Sequence, residues 1–186
     1  YIFNSSIDGI EDCDFILLVG TNPRLEATIL NARIRKAYIK NKLKIYSIGD
    51  AGDLTYPYKN IDSNTSTIRE IASGSHEISN KIKNAKKPII IIGDSALHGK
   101  SGQYVFETLK KFLSDNNFIK KNWNALNILT QQASRVGAID LGFCSISEDE
   151  NFSFFNKLDN DDFKFVYLLG ADNINFEKRN KFIVYQ

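Results

Sequence analysis

The chain has 186 residues, 42% of them hydrophobic and 25% charged, with a formal net charge of +2. That supports one globular domain, or two small lobes, and the scatter of Lys and Arg among acids argues against a dedicated nucleic-acid surface. No apolar run approaches the roughly 20 residues of a membrane span. The cysteines, Cys13 and Cys144, lie far apart without CxxC spacing; they are no disulfide framework and fit a reducing compartment.

The first clear element is Phe15 to Gly20, a continuous apolar run ending in Gly, which predicts a strand covered on both faces. Thr21-Asn22-Pro23 follows, then a helix to about Tyr38. Asn22 is placed to cap it, and Pro23 at the first helical position has no N–H to leave unpaired. Leu25, Ile29, Ala32 and Lys36 recur at helical spacing, widened by Leu30, Ile34 and Ala37. Leu43 to Ile48 reads as a second strand and completes a right-handed βαβ unit. Asp50 to Asn64 carries Gly, Pro, Asn and Asp and reads as a surface loop.

Two short helices are expected over Thr65–Ala72 and His76–Ala85, then a buried strand over Pro88–Gly93. A helix from about Gln103 to Ser114 would bury Val105, Phe106, Leu109, Phe112 and Leu113. Leu126–Leu129, Phe165–Gly170 and Phe182–Tyr185 read as further strands, and Glu148–Asp162 as an acidic, solvated loop with a partly helical middle. Strands alternating with helices predict a doubly wound, mostly parallel α/β sheet of Rossmann-like type. Sub-lobes 1–86 and 87–186 are a possible division. The absence of Met and the final strand that stops without a turn suggest a piece of a longer polypeptide.

Three segments have chemistry to weigh. The turn Gly20-Thr21-Asn22-Pro23 joins a strand to a helix start, where free N–H groups attract anions. Arg24 in the first turn opposes the helix dipole and calls for an acidic partner, either a ligand or a nearby carboxylate. The run Gly93-Asp94-Ser95-Ala96-Leu97-His98-Gly99-Lys100-Ser101 is a near-miss of a phosphate-binding loop. It has five residues between the glycines where the pattern needs four, so Lys100 and Ser101 fall out of register. His76 and His98 lack metal-site spacing, and two cysteines cannot hold an iron–sulfur cluster. No catalytic or metal-ligating residue is expected, nor a cofactor held by the chain unaided. A weak repeat relates Phe15–Pro23 to Phe165–Asn173; both are expected to end a buried strand in Gly at the edge where open α/β sheets bind ligands.

Read together, several segments resemble a known family. Phe3-Asn4 with Ile10-Glu11-Asp12-Cys13-Asp14 resembles the lead-in of molybdopterin oxidoreductases, and Gly20-Thr21-Asn22-Pro23 their G-x-N-P signature. A longer match is to the large iron–sulfur subunit of respiratory NADH–quinone oxidoreductases (complex I). It runs through Leu17–Ala27, Asn31–Lys36, Asp53-Leu54-Thr55-Tyr56, Ala133–Ala138, Asp140–Phe143, Leu168–Asp172 and Val184-Tyr185-Gln186. The resemblance implies a formate dehydrogenase-like α/β domain. It implies that Gly20, Thr21, Asn22 and Pro23 are a vestige of a pterin-cofactor turn, and that the cysteine-rich iron–sulfur region belongs to the parent and lies outside residues 1–186. It further implies a non-catalytic scaffold role beside other subunits of the peripheral arm. The location implied is the cytoplasmic face of a bacterial inner membrane or the mitochondrial matrix side, without membrane insertion. An active molybdopterin enzyme, such as a formate dehydrogenase or nitrate reductase, is the alternative. Cys13 stands where that family has a small residue, usually Ala.

Overall fold

The computed structural model describes residues 2–98, 100–143, 156–160, 162–171 and 180–186. Its elements, in order, are a 3-10 turn Gly9–Asp12, β1 (Phe15–Val19), α1 (Pro23–Glu26), α2 (Thr28–Asn41), β2 (Lys44–Ile48), β3 (Lys59–Asp62), α3 (Ser66–Ser73), α4 (Glu77–Lys83) and β4 (Pro88–Gly93). There follow α5 (Asp94–Leu97), α6 (Gly102–Asp115), β5 (Ile119–Lys120), β6 (Trp123–Asn124), β7 (Leu126–Leu129), α7 (Arg135–Asp140), β8 (Phe165–Leu168) and β9 (Phe182–Tyr185).

Five strands form one parallel sheet in the order β3-β2-β1-β4-β7. The chain winds outward from β1 through β2 and β3 on one side, and through β4 and β7 on the other. The reversal between β1 and β4 is a topological switch point. Both faces are covered, which is why β1 and β4 are apolar without alternation. On one face Phe15, Leu17, Val19, Ile90 and Ile92 meet Ile68 and Ile71 of α3, Ile78 and Ile82 of α4, and Val105, Leu109 and Phe112 of α6. On the other, Ile16, Leu18, Ile89 and Ile91 meet Leu30, Ile34 and Ala37 of α2, with Leu54 and Tyr56 from the loop after β2. The doubly wound α/β architecture is therefore as the alternation of elements predicts.

The chain forms two compact units, Tyr1–Val136 and Gly137–Gln186. A division after residue 86 would fall inside the sheet, because β1 pairs along its whole length with β4. The second unit contains the parallel pair β8–β9.

Three sequence expectations are corrected. The helix after Pro23 breaks at Ala27, whose φ of −153° and ψ of 76° are not helical. The break resets the phase: α2 buries Leu30, Asn31, Ile34 and Ala37, while Leu25 and Ile29 are 80% and 71% exposed. The loop after β2 contains the edge strand β3, whose polar sequence hides it; an edge strand is held by backbone pairing to β2 and needs no apolar face. The apolar run at Phe165 is a strand but not a buried one, with Phe165 and Tyr167 exposed in a sheet of two strands. Cys144, Gly99 and most of Glu148–Asp162 lie outside the described residues, as do Asp172 and Asn173 of the repeat.

Candidate functional site at the switch point

The C-terminal ends of β1 and β4 place Gly20 and Gly93 side by side. Gly20 turns the chain out of β1 with φ +56°, a conformation that disfavours a Cβ. Its N–H donates to Ile48 O at 3.0 Å, and the Ser95 hydroxyl donates to its carbonyl. A Cβ on Gly20 would lie 2.8 Å from Ala96 Cβ, so the first turn of α5 packs directly on the glycine. A Cβ on Gly93 would lie 2.6 Å from Thr21 Cβ and would also strike Gly20 O.

Several donors of the turn are engaged within the chain. Asn22 Oδ1 accepts from Arg24 N at 3.0 Å and Leu25 N at 3.2 Å, the cap that the sequence predicts. The Thr21 hydroxyl donates to Glu26 Oε2 at 2.7 Å, and Asn22 N–H to Glu26 Oε1 at 2.9 Å. Pro23 has no N–H. A second anion at this turn would meet the Glu26 carboxylate and find these donors engaged. In the sequence Glu26 lies within the matched run 17–27, one position beyond the place a capping box would give its carboxylate.

Arg24 finds its acidic partner in Asp53, pairing with the carboxylate and donating to its carbonyl at 3.2 Å. The Asp53 carboxyl is held below the usual range, first by the Thr55 N–H and then by Arg24. Asn31 donates to Leu54 O at 3.0 Å and accepts from the Tyr56 hydroxyl at 2.7 Å. Runs 17–27, 31–36 and 53–56, separate in sequence, thus converge on one edge of the sheet.

Asp94 heads α5 and is 5% exposed. Its Oδ2 accepts from Gln131 N at 3.0 Å and its Oδ1 pairs with Arg135 Nη1 at 2.6 Å. The near-miss segment therefore begins as a helical turn whose acid faces the segment after β7, and Lys100 and Ser101 are exposed. His76 caps α4, its Nδ1 accepting from Ile78 N at 3.2 Å. Cys13 is buried, and burial pushes its thiol up to about 12. Among the described residues no three His, Cys, Asp or Glu side chains are grouped to hold a metal, and no helix is long and apolar enough to cross a membrane.

An open parallel sheet reversing between β1 and β4, with a Gly-Thr-Asn-Pro turn at the reversal, defines a doubly wound domain of the kind that carries dinucleotide sites. The chain belongs to the molybdopterin oxidoreductase family, whose model matches residues 1–186. Over its full length it is 41% identical to the NADH-ubiquinone oxidoreductase 78 kDa subunit, mitochondrial, of Candida albicans and 41% identical to the NADH-ubiquinone oxidoreductase 75 kDa subunit of Reclinomonas americana. It is 39% identical to the NADH dehydrogenase [ubiquinone] iron-sulfur protein 1, mitochondrial, of Solanum tuberosum. The chain spans 25%, 27% and 24% of these relatives, about a quarter of each.

Proposed function

We propose that the chain is an α/β scaffold within the large iron–sulfur subunit of an NADH–ubiquinone oxidoreductase, the respiratory complex that carries electrons from NADH to quinone. The observation that carries this reading is the similarity over the full length of the chain, about 40% identical, to subunits bearing that name. On this reading the iron–sulfur clusters are held by other parts of the parent subunit. The partners are the other subunits of the peripheral arm, on the matrix or cytoplasmic side of the membrane.

Gly20, Thr21, Asn22 and Pro23 are then a vestigial cofactor turn. The Glu26 carboxylate sits on donors that an anionic dinucleotide would need, and Ser95 and Ala96 cover the glycine. These contacts favour the scaffold over an active molybdopterin enzyme.

The test is to tag the parent protein in its own cells, extract membranes in mild detergent and separate the complexes on a native gel. The tag is expected to co-migrate with NADH-oxidising, quinone-reducing activity. A tagged complex that releases a fluorescent pterin on oxidation, and lacks NADH oxidation, would overturn the proposal.

A further inference from the structure

At the N-terminal ends of the strands, away from the glycine turn, a cavity of about 590 Å³ opens. Its walls are the 3-10 turn Gly9–Asp12, one side of α2, the start of β4 and the β5–β6 turn. Six cationic side chains line it against three acidic ones, an excess of three, larger than the net charge of +2 carried by the whole chain. The sequence scatters these cations; the fold gathers them.

Half of the cations are ion-paired locally, three on two carboxylates. Arg33 and Lys36 pair with Glu11, and Lys87 pairs with Asp12 at 3.1 Å. Lys40, near the end of α2, and Lys120 and Lys121, at the β5–β6 turn, have no ion pair among the described residues. All three are exposed. In the wall between them stands Trp123, half-buried, its ring fixed by Nε1 donating to Pro88 O at 3.0 Å and by Lys87 Nζ lying 5.2 Å from the ring centroid. A fixed aromatic beside unpaired cations is a common anchor in protein interfaces.

We propose that this cavity is a docking site for an acidic segment of a partner polypeptide. The unpaired ammonium groups sit in two places, Lys40 on α2 and the Lys120–Lys121 pair at the β5–β6 turn, which suits carboxylates spaced along an extended chain better than one compact anion. The amide side chains of Asn4, Asn122 and Asn124 give partners for peptide N–H and C=O groups. The inference names a partner chemistry for the scaffold but does not depend on membership of the respiratory complex, because binding to the chain is read directly.

Trp123 is the single tryptophan of the chain, so its fluorescence reports on this cavity. The experiment titrates the full chain at low ionic strength with decaglutamate peptide, and in parallel arms with inorganic phosphate and a ten-residue oligothymidylate. The expected result is a saturable change in Trp123 emission with decaglutamate that weakens as salt rises. The double variant Lys120→Glu/Lys121→Glu, both positions exposed, should keep its far-ultraviolet dichroism and bind at least about tenfold more weakly. The variant Lys83→Glu, outside the cavity, should bind as the parent chain does. No saturable change up to roughly 1 mM peptide, an unchanged affinity in the double variant, or tighter binding of phosphate or the oligonucleotide would overturn the proposal.

Discussion

Arg135 Nη1 lies 2.6 Å from Asp94 Oδ1, a pair that joins the end of β4 to the segment after β7 across 41 residues of sequence. Because Asp94 is 5% exposed and also accepts from Gln131 N–H, the carboxylate is satisfied only while that segment stays in place. Asp94→Ala is expected to cost about 2 kcal/mol, leaving an N–H and a guanidinium without their acceptor. Thermal unfolding should show a fall of roughly 4–8 °C in Tm. Asp94→Asn, which keeps an acceptor for Gln131, should lose less.

Gly93→Ala places a Cβ 2.6 Å from Thr21 Cβ, where the turn after β1 crosses the end of β4. The expected loss is about 1–3 kcal/mol in urea unfolding. Gly137, inside α7, has nothing among the described residues within 4 Å of its Cβ position, so Gly137→Ala should be neutral or gain about 0.5–1 kcal/mol. Equal effects at the two positions would contradict the close approach at the switch point.

Glu26→Ala removes the acceptor of both the Thr21 hydroxyl and the Asn22 N–H. Thr21 is buried, so a loss of about 1–2 kcal/mol is expected, with Glu26→Gln retaining much of it. Hydrogen exchange at the Asn22 amide should quicken in the alanine variant and change little in the glutamine one.

Ser47, on β2, is 1% exposed, and its Oγ has no hydrogen-bond partner among the described residues. An unsatisfied buried hydroxyl is a standing cost. Ser47→Ala should therefore be neutral or stabilising by up to roughly 1 kcal/mol, in contrast with the usual penalty for change at a core strand position. A marked loss in chemical unfolding would show that the hydroxyl is satisfied.

Burial pushes the Cys13 thiol from 9.0 to about 12, with Asp14 adding to the effect. Below pH 9 both folded and unfolded chains hold the proton, and this stabilising difference is fully present. As pH rises from 9 toward 12 the unfolded thiol ionises first, so stability falls through that window by about 1.4 kcal/mol per pH unit. Urea unfolding of the parent chain and Cys13→Ala at pH 8 and pH 10 should show the extra loss only in the parent. Alkylation of Cys13 at pH 8 should be slow unless the chain is unfolded.

The switch-point turn was legible as a cap. Asn22 and Pro23 act over the three residues that follow, and Arg24 advertised an acid it did not name. That acid, Asp53, lies 29 positions away, a distance over which spacing carries no information. The break at Ala27 was illegible for a different reason. Leu25 and Ile29 have helical spacing, and only the packing of Leu30 and Ile34 against the sheet shows that the pattern belongs to two helices. The strand β3 left a single apolar trace, Ile61, too little to mark a strand, because its pairing rests on backbone hydrogen bonds, which every residue type except Pro can make.

What the amino-acid order determined by itself is local: the all-apolar strands β1 and β4, the amphipathic α6, the capped turn at Gly20–Pro23 and, through the ordered run of matched segments, the family. These rest on side chains within a few residues of one another, where periodicity and capping chemistry operate. The tertiary structure alone decided that Arg24 pairs with Asp53, that Asp94 pairs with Arg135, and that scattered lysines share a cavity beside Trp123. Each depends on how the strands are ordered in the sheet. Charge and hydrogen bonding act through space, and the strand order sets which distant residues become neighbours.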